Sequence, residues 1–314
     1  MKIIKPKFWD KKRPNFFSYL LLPFTLLLTV NNFFRNYSPK LKTKKIKTIC
    51  VGNIYLGGTG KTPTVIKLFE ILKTFNEKVA IAKKFYTSQI DEITLLKKKT
   101  SLIIGNKRTE IIRDALKKKN NVLIFDDGLQ DKNIDYDLKI VCFDALNWVG
   151  NGLLFPAGPL REKIDSLKKF DAVLLKNLTN PDFKFDALIK KINPSIKIFN
   201  SIYKIKNFKD FDLSKKYLIF SGIGNPNSFK KILINNHFKI FDENIYPDHY
   251  KYNDNDISNI INKANNLNLD IITTEKDFVK IPNKFHNKIK FLSIDLEFYE
   301  EEKLINFLKS KIYE

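Results

Sequence analysis

No stretch of this 314-residue chain constrains its fold more than Ile49–Thr62, ICVGNIYLGGTGKT. A β-branched run leads into a glycine-rich turn closed by Gly60-Lys61-Thr62, and Pro63–Phe75 reads as a helix. Strand, glycine turn and helix in that order form a P-loop, whose backbone N–H groups wrap nucleotide phosphates at a helix start. Gly57, Gly58 and Gly60 lack the Cβ that would hold phosphate oxygens away from the backbone, and Thr59 completes the turn. Lys61 supplies a point charge for the β/γ-phosphates and Thr62 a hydroxyl for Mg²⁺. The pattern G-x-x-x-x-G-K-[ST] is departed from once, at its first position, which is Tyr55.

A second signal is Asn121–Gln130, NVLIFDDGLQ. An apolar strand ending in Asp126-Asp127 fits the layout that delivers a carboxylate to the Mg²⁺ region beside a P-loop. Either aspartate could take the metal. Gly150–Glu162, GNGLLFPAGPLRE, is long enough for a functional loop, and its Arg161 could stabilise transferring phosphoryl charge. In Tyr246–Tyr252, His249 beside Asp248 could act as a base or as the partner of a carboxylate; a turn histidine is the plainer alternative. Asp91 has an ordinary explanation in Ser88-x-x-Asp91, a capping-box spacing at a helix start.

Alternating segments imply an α/β fold built on a parallel sheet with helices on both faces. Strands are expected at Ile46–Val51, Lys78–Ala82, Ser101–Ile104, Val122–Phe125, Lys139–Phe143 and Ala172–Leu175. Helices are expected at Asp91–Lys99 and Glu110–Lys118 between them. Ile198–Phe208 and Lys216–Phe220 read as extended linking segments. After them comes a smaller α/β unit with helices at Ser228–Asn235, Asp256–Asn266 and Glu300–Ile312 and a strand at Ile271–Thr273. The expected division is an arm at 1–45, a nucleotide domain at 46–200, linking segments at 201–220 and a C-terminal α/β domain at 221–314.

The formal charge of +22 suggests a polyanionic partner, yet only five of the 56 basic residues are Arg (13, 35, 108, 113 and 161). Base and phosphate recognition on nucleic acids recruits Arg, so the lysine excess is read as compositional and no nucleic-acid partner is expected. A cationic surface does suit an anionic membrane. Cys50 and Cys142 sit inside apolar runs and read as buried strand thiols. No obligate protein partner is indicated.

Phe16–Val30, FFSYLLLPFTLLLTV, carries no charge and is flanked by Lys11, Lys12, Arg13 and Arg35. It falls short of the roughly 20 residues a bilayer span needs, and Pro23 interrupts it. An interfacial helix is favoured, with a spanning anchor and a core helix as the alternatives. Pro14 fits a first-turn position of such a helix.

Together GNIYLGGTGKTP, DDGLQ, GNGLLFPAGPLRE, SGIGNP, YPDHY and TTEKDFVKI occur in the order seen in the tetraacyldisaccharide 4′-kinases, the lipid A 4′-kinases of Gram-negative bacteria. The resemblance runs from Phe8-Trp9 to Lys280, and the family's non-glycine residue at the first P-loop position accounts for Tyr55. It implies a P-loop kinase at the cytoplasmic face of the inner membrane. With ATP and Mg²⁺, such an enzyme phosphorylates the 4′-hydroxyl of a tetraacylated glucosamine disaccharide 1-phosphate.

The resemblance maps the phosphate site onto Gly57–Thr62, the acidic pair onto Asp126 and Asp127, and the following Gln onto Gln130. The Arg-Glu pair maps onto Arg161 and Glu162, and the histidine onto His249. The family's G-D-E motif aligns with Ile90-Asp91-Glu92, which makes Asp91 the candidate base. Three departures stand out. The S-R-G-Y-G-G segment reads Lys83–Ser88 (KKFYTS), the Gly before Asp91 is Ile90, and the His after Gln130 is Asp131. The main alternative is a membrane-docking P-loop ATPase of the partitioning or targeting type, which would carry a signature Lys where this chain has Leu56.

Overall fold

The computed structural model describes residues 5–26, 29, 41–131, 133–181 and 183–313. The chain divides into two compact units that are not contiguous in sequence. The larger comprises Lys5–Phe85, Lys99–Ile202 and Glu297–Glu314; the smaller draws on Tyr86–Lys98 and Tyr203–Leu296. Thus Tyr86–Lys98 leaves the expected 46–200 segment for the smaller unit, and Glu297–Glu314 falls with the larger.

In the larger unit the strands are β1 (Lys47–Gly52), β2 (Val79–Lys84), β3 (Leu102–Gly105), β4 (Val122–Asp126), β5 (Leu138–Asp144), β6 (Ala172–Asn177) and, up to Ile202, β7 (Lys197–Ile205). The smaller unit has β8 (Lys216–Ser221), β9 (Lys239–Ile245), β10 (Asp270–Thr274) and β11 (Lys290–Leu292), followed by β12 (Ile294–Phe298). The eight-stranded sheet has the order β12-β7-β6-β5-β1-β4-β2-β3, and the four-stranded one β11-β10-β8-β9. All pairings from β3 to β7, and all those within the second sheet, are parallel. Helix-linked parallel strands must be buried on both faces, and consecutive residues Ile49, Cys50 and Val51 are all buried. In the smaller unit Leu218 and Phe220 pack with the helix Asp254–Asn266, while Tyr217 and Ile219 pack with the helix Pro226–Asn235. Such alternation follows from the period of two along a strand.

The expected linking segments are strands: β7 is paired along β6 inside the large sheet, and β8 is central in the small one. An extended β-branched run reads the same whether or not a neighbour takes up its backbone hydrogen bonds, so sequence could not separate the two. The helix Phe183–Ile192 and strands β9, β11 and β12 were not anticipated either. Cys50 and Cys142 are buried free thiols, and burial pushes the Cys142 thiol up to about 12.

The arm forms a short 3-10 turn at Lys7–Asp10 and an α-helix at Phe16–Leu21, with a further 3-10 turn at Leu22–Phe24. Asn15, not Pro14, stands at the helix start, where its side chain accepts the Ser18 N–H. Part of the apolar run (27, 28 and 30), together with 31–40, lies outside the described residues. Among the described residues no helix is long and apolar enough to cross a membrane. Nor is the described part a core helix: Phe16 is 74% exposed and Leu20 60%.

The arm is nevertheless tied to its unit. Trp9 is buried; its indole N–H donates to Pro156 O (3.1 Å), and its carbonyl accepts from Asn151 N (2.9 Å). The Asn151 amide also donates to Ser18 Oγ (3.0 Å). Gly150 permits this contact: its φ is +58°, and a Cβ there would stand 2.2 Å from Trp9 O. Gly150→Ala is therefore expected to cost about 1–3 kcal/mol and to free the arm. Urea unfolding together with tryptophan emission would check this; an unchanged midpoint and emission maximum would count against it.

Candidate active site

In the larger unit β1 delivers the chain into the glycine turn. Gly60 takes a left-handed conformation (φ +85°) as N-cap of the helix Lys61–Lys73, and its carbonyl accepts the Thr64 N–H at 3.0 Å. Asn53, buried at the end of β1, donates from Nδ2 to Thr59 Oγ1 (2.9 Å) and to Gly57 O (3.2 Å). These two hydrogen bonds from one buried side chain hold the turn in shape from within, as a preorganised anion site requires. Tyr55 explains its own departure from the P-loop pattern. Its buried hydroxyl donates to Asp10 and accepts from Lys5 Nζ (3.1 Å), while Lys5 pairs with Asp10 at 2.7 Å. Burial, reinforced by Asp10, raises the Tyr55 hydroxyl well above its ordinary value, so it stays a neutral hydrogen-bonding group. The position serves the arm instead of the turn.

Register between β4 and its neighbours sets Asp126 beside Val51 on one side and Lys83 on the other. Lys83 Nζ lies 2.6 Å from Asp126 Oδ2, with both side chains at 2% exposure or less. Asp127 follows in a left-handed conformation (φ +58°), and its N–H donates to Val51 O at 2.9 Å. Its carboxylate stands 3.8 Å from Lys61 Nζ and accepts from Arg161 at 3.2 Å. Gln130 donates to Asn53 O (2.9 Å) and accepts from Arg161 (3.0 Å), and its amide lies 3.5 Å from Glu162 Oε1. The Arg161 N–H is fixed to Ile54 O at 2.7 Å. Arg108 completes the frame, donating to Asp131 (2.5 Å) and to Asp127 O (2.6 Å). Lys61, Asp127, Gln130, Arg161 and Glu162 are thus gathered around the phosphate loop, whereas Asp126 is turned to Lys83.

In the smaller unit Asp91 lies in the first turn of the helix Ile90–Lys99 and His249 in a loop after β9. His249 is left-handed (φ +58°) and its N–H donates to Gly222 O at 3.1 Å. Nδ1 of its ring is 2.9 and 3.0 Å from the two oxygens of Asp91, which also accepts the Glu92 N–H at 2.9 Å. The Asp91 side chain is 2% exposed and that of His249 17%, so the imidazole is the outward member of the pair. Lys276 Nζ lies 3.0 Å from Glu92, 3.3 Å from Asp248 and 3.7 Å from Asp91; Lys280 Nζ lies 2.6 Å from Asp277 and 3.8 Å from Asp91. Burial by itself would raise the Asp91 carboxyl. The His249 hydrogen bond and the charges of Lys276 and Lys280 outweigh it and hold the group below its ordinary value. Burial would likewise lower Lys276, but Glu92, Asp248 and Asp91 raise it on balance.

Asn53, Lys83, Arg108, Lys276 and Lys280 were not singled out as site residues from sequence. Lys276 and Lys280 stood inside the recognised TTEKDFVKI run, but four-residue spacing on one turn of chain also describes any solvated surface pair. His237 and His286 carry no such company; His286 Nε2 is engaged with Ile281 O at 2.8 Å.

The depressed Asp91 carboxyl sets a pH dependence of stability. A carboxyl whose folded value lies below its unfolded one, about 3.9, contributes stability in full above that pH and loses it as pH falls through the folded value. The stability gap between wild type and Asp91→Asn should be widest near neutrality and close below about pH 4. Chemical denaturation across pH 3–7 would read it; a gap independent of pH would contradict an ionised, stabilised Asp91.

Against known proteins, the family described as tetraacyldisaccharide-1-P 4′-kinase matches residues 17–313. A tetraacyldisaccharide 4′-kinase of Pelagibacter ubique (strain HTCC1062) is 47% identical over 308 residues, covering 98% of each chain. One of Rickettsia canadensis (strain McKiel) is 34% identical over 332 residues, covering 100% of this chain and 98% of its own. Among solved structures, LpxK from Aquifex aeolicus in complex with ATP superimposes with a TM-score of 0.70 at 25% identity, covering 94% of this chain and 99% of that one. The chain belongs to the tetraacyldisaccharide-1-P 4′-kinase family.

Proposed function

We propose that this member of the family is an ATP-dependent kinase that transfers the γ-phosphoryl group to the 4′-hydroxyl of a tetraacyldisaccharide 1-phosphate in lipid A biosynthesis. The observation that carries this reading is the preshaped phosphate loop facing Lys61, Asp127 and Arg161 in a chain whose family match spans 17–313. The partitioning-ATPase reading has no comparable support: Leu56 stands at the signature position, and the family match covers nearly the whole chain.

Gly57–Thr62 with Lys61 would hold the triphosphate, and Gln130 and Glu162 would keep Arg161 aimed at it. Among the described residues no group of three or more His, Cys, Asp or Glu could hold a metal alone. Mg²⁺ is held by one or two carboxylates plus substrate phosphates. Thr62, Asp126 and Asp127 are the residues that would hold it. Asp126 is paired through Oδ2 with Lys83 and Asp127 with Arg161, so each reaches the site already held by a cation. When bound, Mg²⁺ would supply charge neutralisation at the β/γ-phosphates. Asp91 and His249 would accept the proton of the attacking 4′-hydroxyl, a role for which a sugar hydroxyl needs a nearby base.

The acceptor is amphiphilic, so catalysis belongs at a lipid surface. Exposed Phe16, Phe17, Tyr19 and Leu20 on the arm helix, with Lys11, Lys12 and Arg13 beside them, would rest in an anionic headgroup layer. The cytoplasmic face of the inner membrane supplies both ATP and such a layer.

Transfer of label from γ-³²P-ATP to the detergent-dispersed acceptor tests the reading. Wild type should label the lipid, and Lys61→Ala, Asp91→Ala and His249→Ala should each lose roughly 100-fold or more. ATP hydrolysis without labelled lipid would refute it.

A further inference from the structure

The motif Thr273–Ile281, TTEKDFVKI, is left over once the phosphate loop and the Asp91–His249 pair are assigned. Its two lysines nevertheless converge on Asp91. Lys276 reaches Asp91 Oδ2 at 3.7 Å and Lys280 at 3.8 Å, so the same oxygen that meets His249 Nδ1 at 3.0 Å faces two ammonium groups. We infer that Lys276 and Lys280 are positioning residues of the Asp91–His249 pair, acting on the proton-accepting group without touching the sugar or the nucleotide. The inference rests on the reading of Asp91 and His249 given above.

Each lysine is held by a partner of its own. Lys276 is tied to Glu92 on the helix of Asp91 and to Asp248 next to His249, so one ammonium links the two segments that carry the pair. Lys280 is paired with Asp277, which is fully buried, and lies 5.2 Å from the centre of the Tyr252 ring. Asp277 in turn accepts from Gly222 N (3.0 Å), Tyr252 Oη (3.1 Å) and Thr274 Oγ1 (2.7 Å). Gly222 is the residue whose carbonyl fixes the His249 backbone. The SGIGNP, YPDHYKY and TTEKD segments thus form one hydrogen-bonded frame, with Asp277 beneath and the two lysines as its contacts with Asp91. The charged groups facing Asp91 are Glu92 on its own helix, Asp248 and His249 on the loop, and Lys276 and Lys280, the latter paired to Asp277. With His249 set aside, the charges around it are two cations and three carboxylates. Both ammonium groups lie within ion-pair distance of a carboxylate besides Asp91.

A buried carboxylate must be ionised to accept a proton, and nearby cations favour that form. Removing either lysine should therefore raise the pH at which the base loses its proton-accepting form. The test is the pH dependence of kcat for lipid phosphorylation at saturating ATP and acceptor. It uses wild type, Lys276→Met, Lys280→Met and the charge-preserving Lys276→Arg and Lys280→Arg. The acid limb should move up by about one pH unit in each Met variant. The Arg variants should keep the wild-type limb, and KM for ATP should be unchanged throughout. Mg-ATP binding measured by calorimetry checks that each variant is folded.

A uniform fall in kcat at every pH with an unmoved limb would assign the lysines a purely structural role and overturn the inference. So would Arg variants as impaired as the Met ones. Should the Met variants fail to bind nucleotide, the Arg variants decide: a limb moved by a charge-preserving change refutes the inference, and an unmoved one supports it. Wild type that leaves the lipid unlabelled would bring down the reading of the Asp91–His249 site, and this inference with it.

Discussion

Parallel pairing of β1 with β4 places Val51 beside Asp126, and the chemistry of the larger unit is laid out from that register. β1 must end where the glycine turn begins, and β4 must end one residue before Asp127 turns back over it. The Asp127 N–H on Val51 O closes the geometry. A one-residue slip would send every side chain of β4 to the opposite face. The phosphate loop and the acidic pair are therefore set side by side by a single strand alignment.

Charge is handled in the same way at three places: a buried carboxylate is met by a lysine. Asp126 has Lys83, Asp277 has Lys280, and Asp144 at the end of β5 has Lys176 at 2.5 Å with both side chains at 6% exposure or less. Desolvating such ions costs several kcal/mol per ion, and removal of one partner leaves the other uncompensated. A chain with five arginines among 56 basic residues makes this use of what it has. The lysine excess looked like compositional drift, and on the surface that reading is adequate. It hid the few lysines whose position on a strand end or helix turn gives them a structural duty.

Legibility in the sequence tracked how local each signal was. The phosphate loop, the β4 strand with its acidic end, and the amphipathic helices carry their own periodicity or glycine chemistry, and they lie where expected within a residue or two. The pairing of Asp91 with His249, 158 positions apart, has no local signature; family likeness alone connected them. Lys83, Arg108 and Asn53 were invisible for a related reason. Their roles depend on which strand or turn lies alongside, and a sequence records neighbours along the chain but not across a sheet. β7 reads as a linker in the sequence because hydrogen bonding to β6, not residue type, makes it a strand.

Tyr55 joins the arm to the nucleotide loop through Asp10 and Lys5, and Gly150, Asn151 and Pro156 hold Trp9 from the other side. The arm is therefore not a module that can be traded between relatives. A graft carrying a foreign arm would need matching residues at 55, 150 and 151 as well, three positions far along the chain. The first position of the P-loop is thus tied by hydrogen bonding to a residue some 45 positions before it.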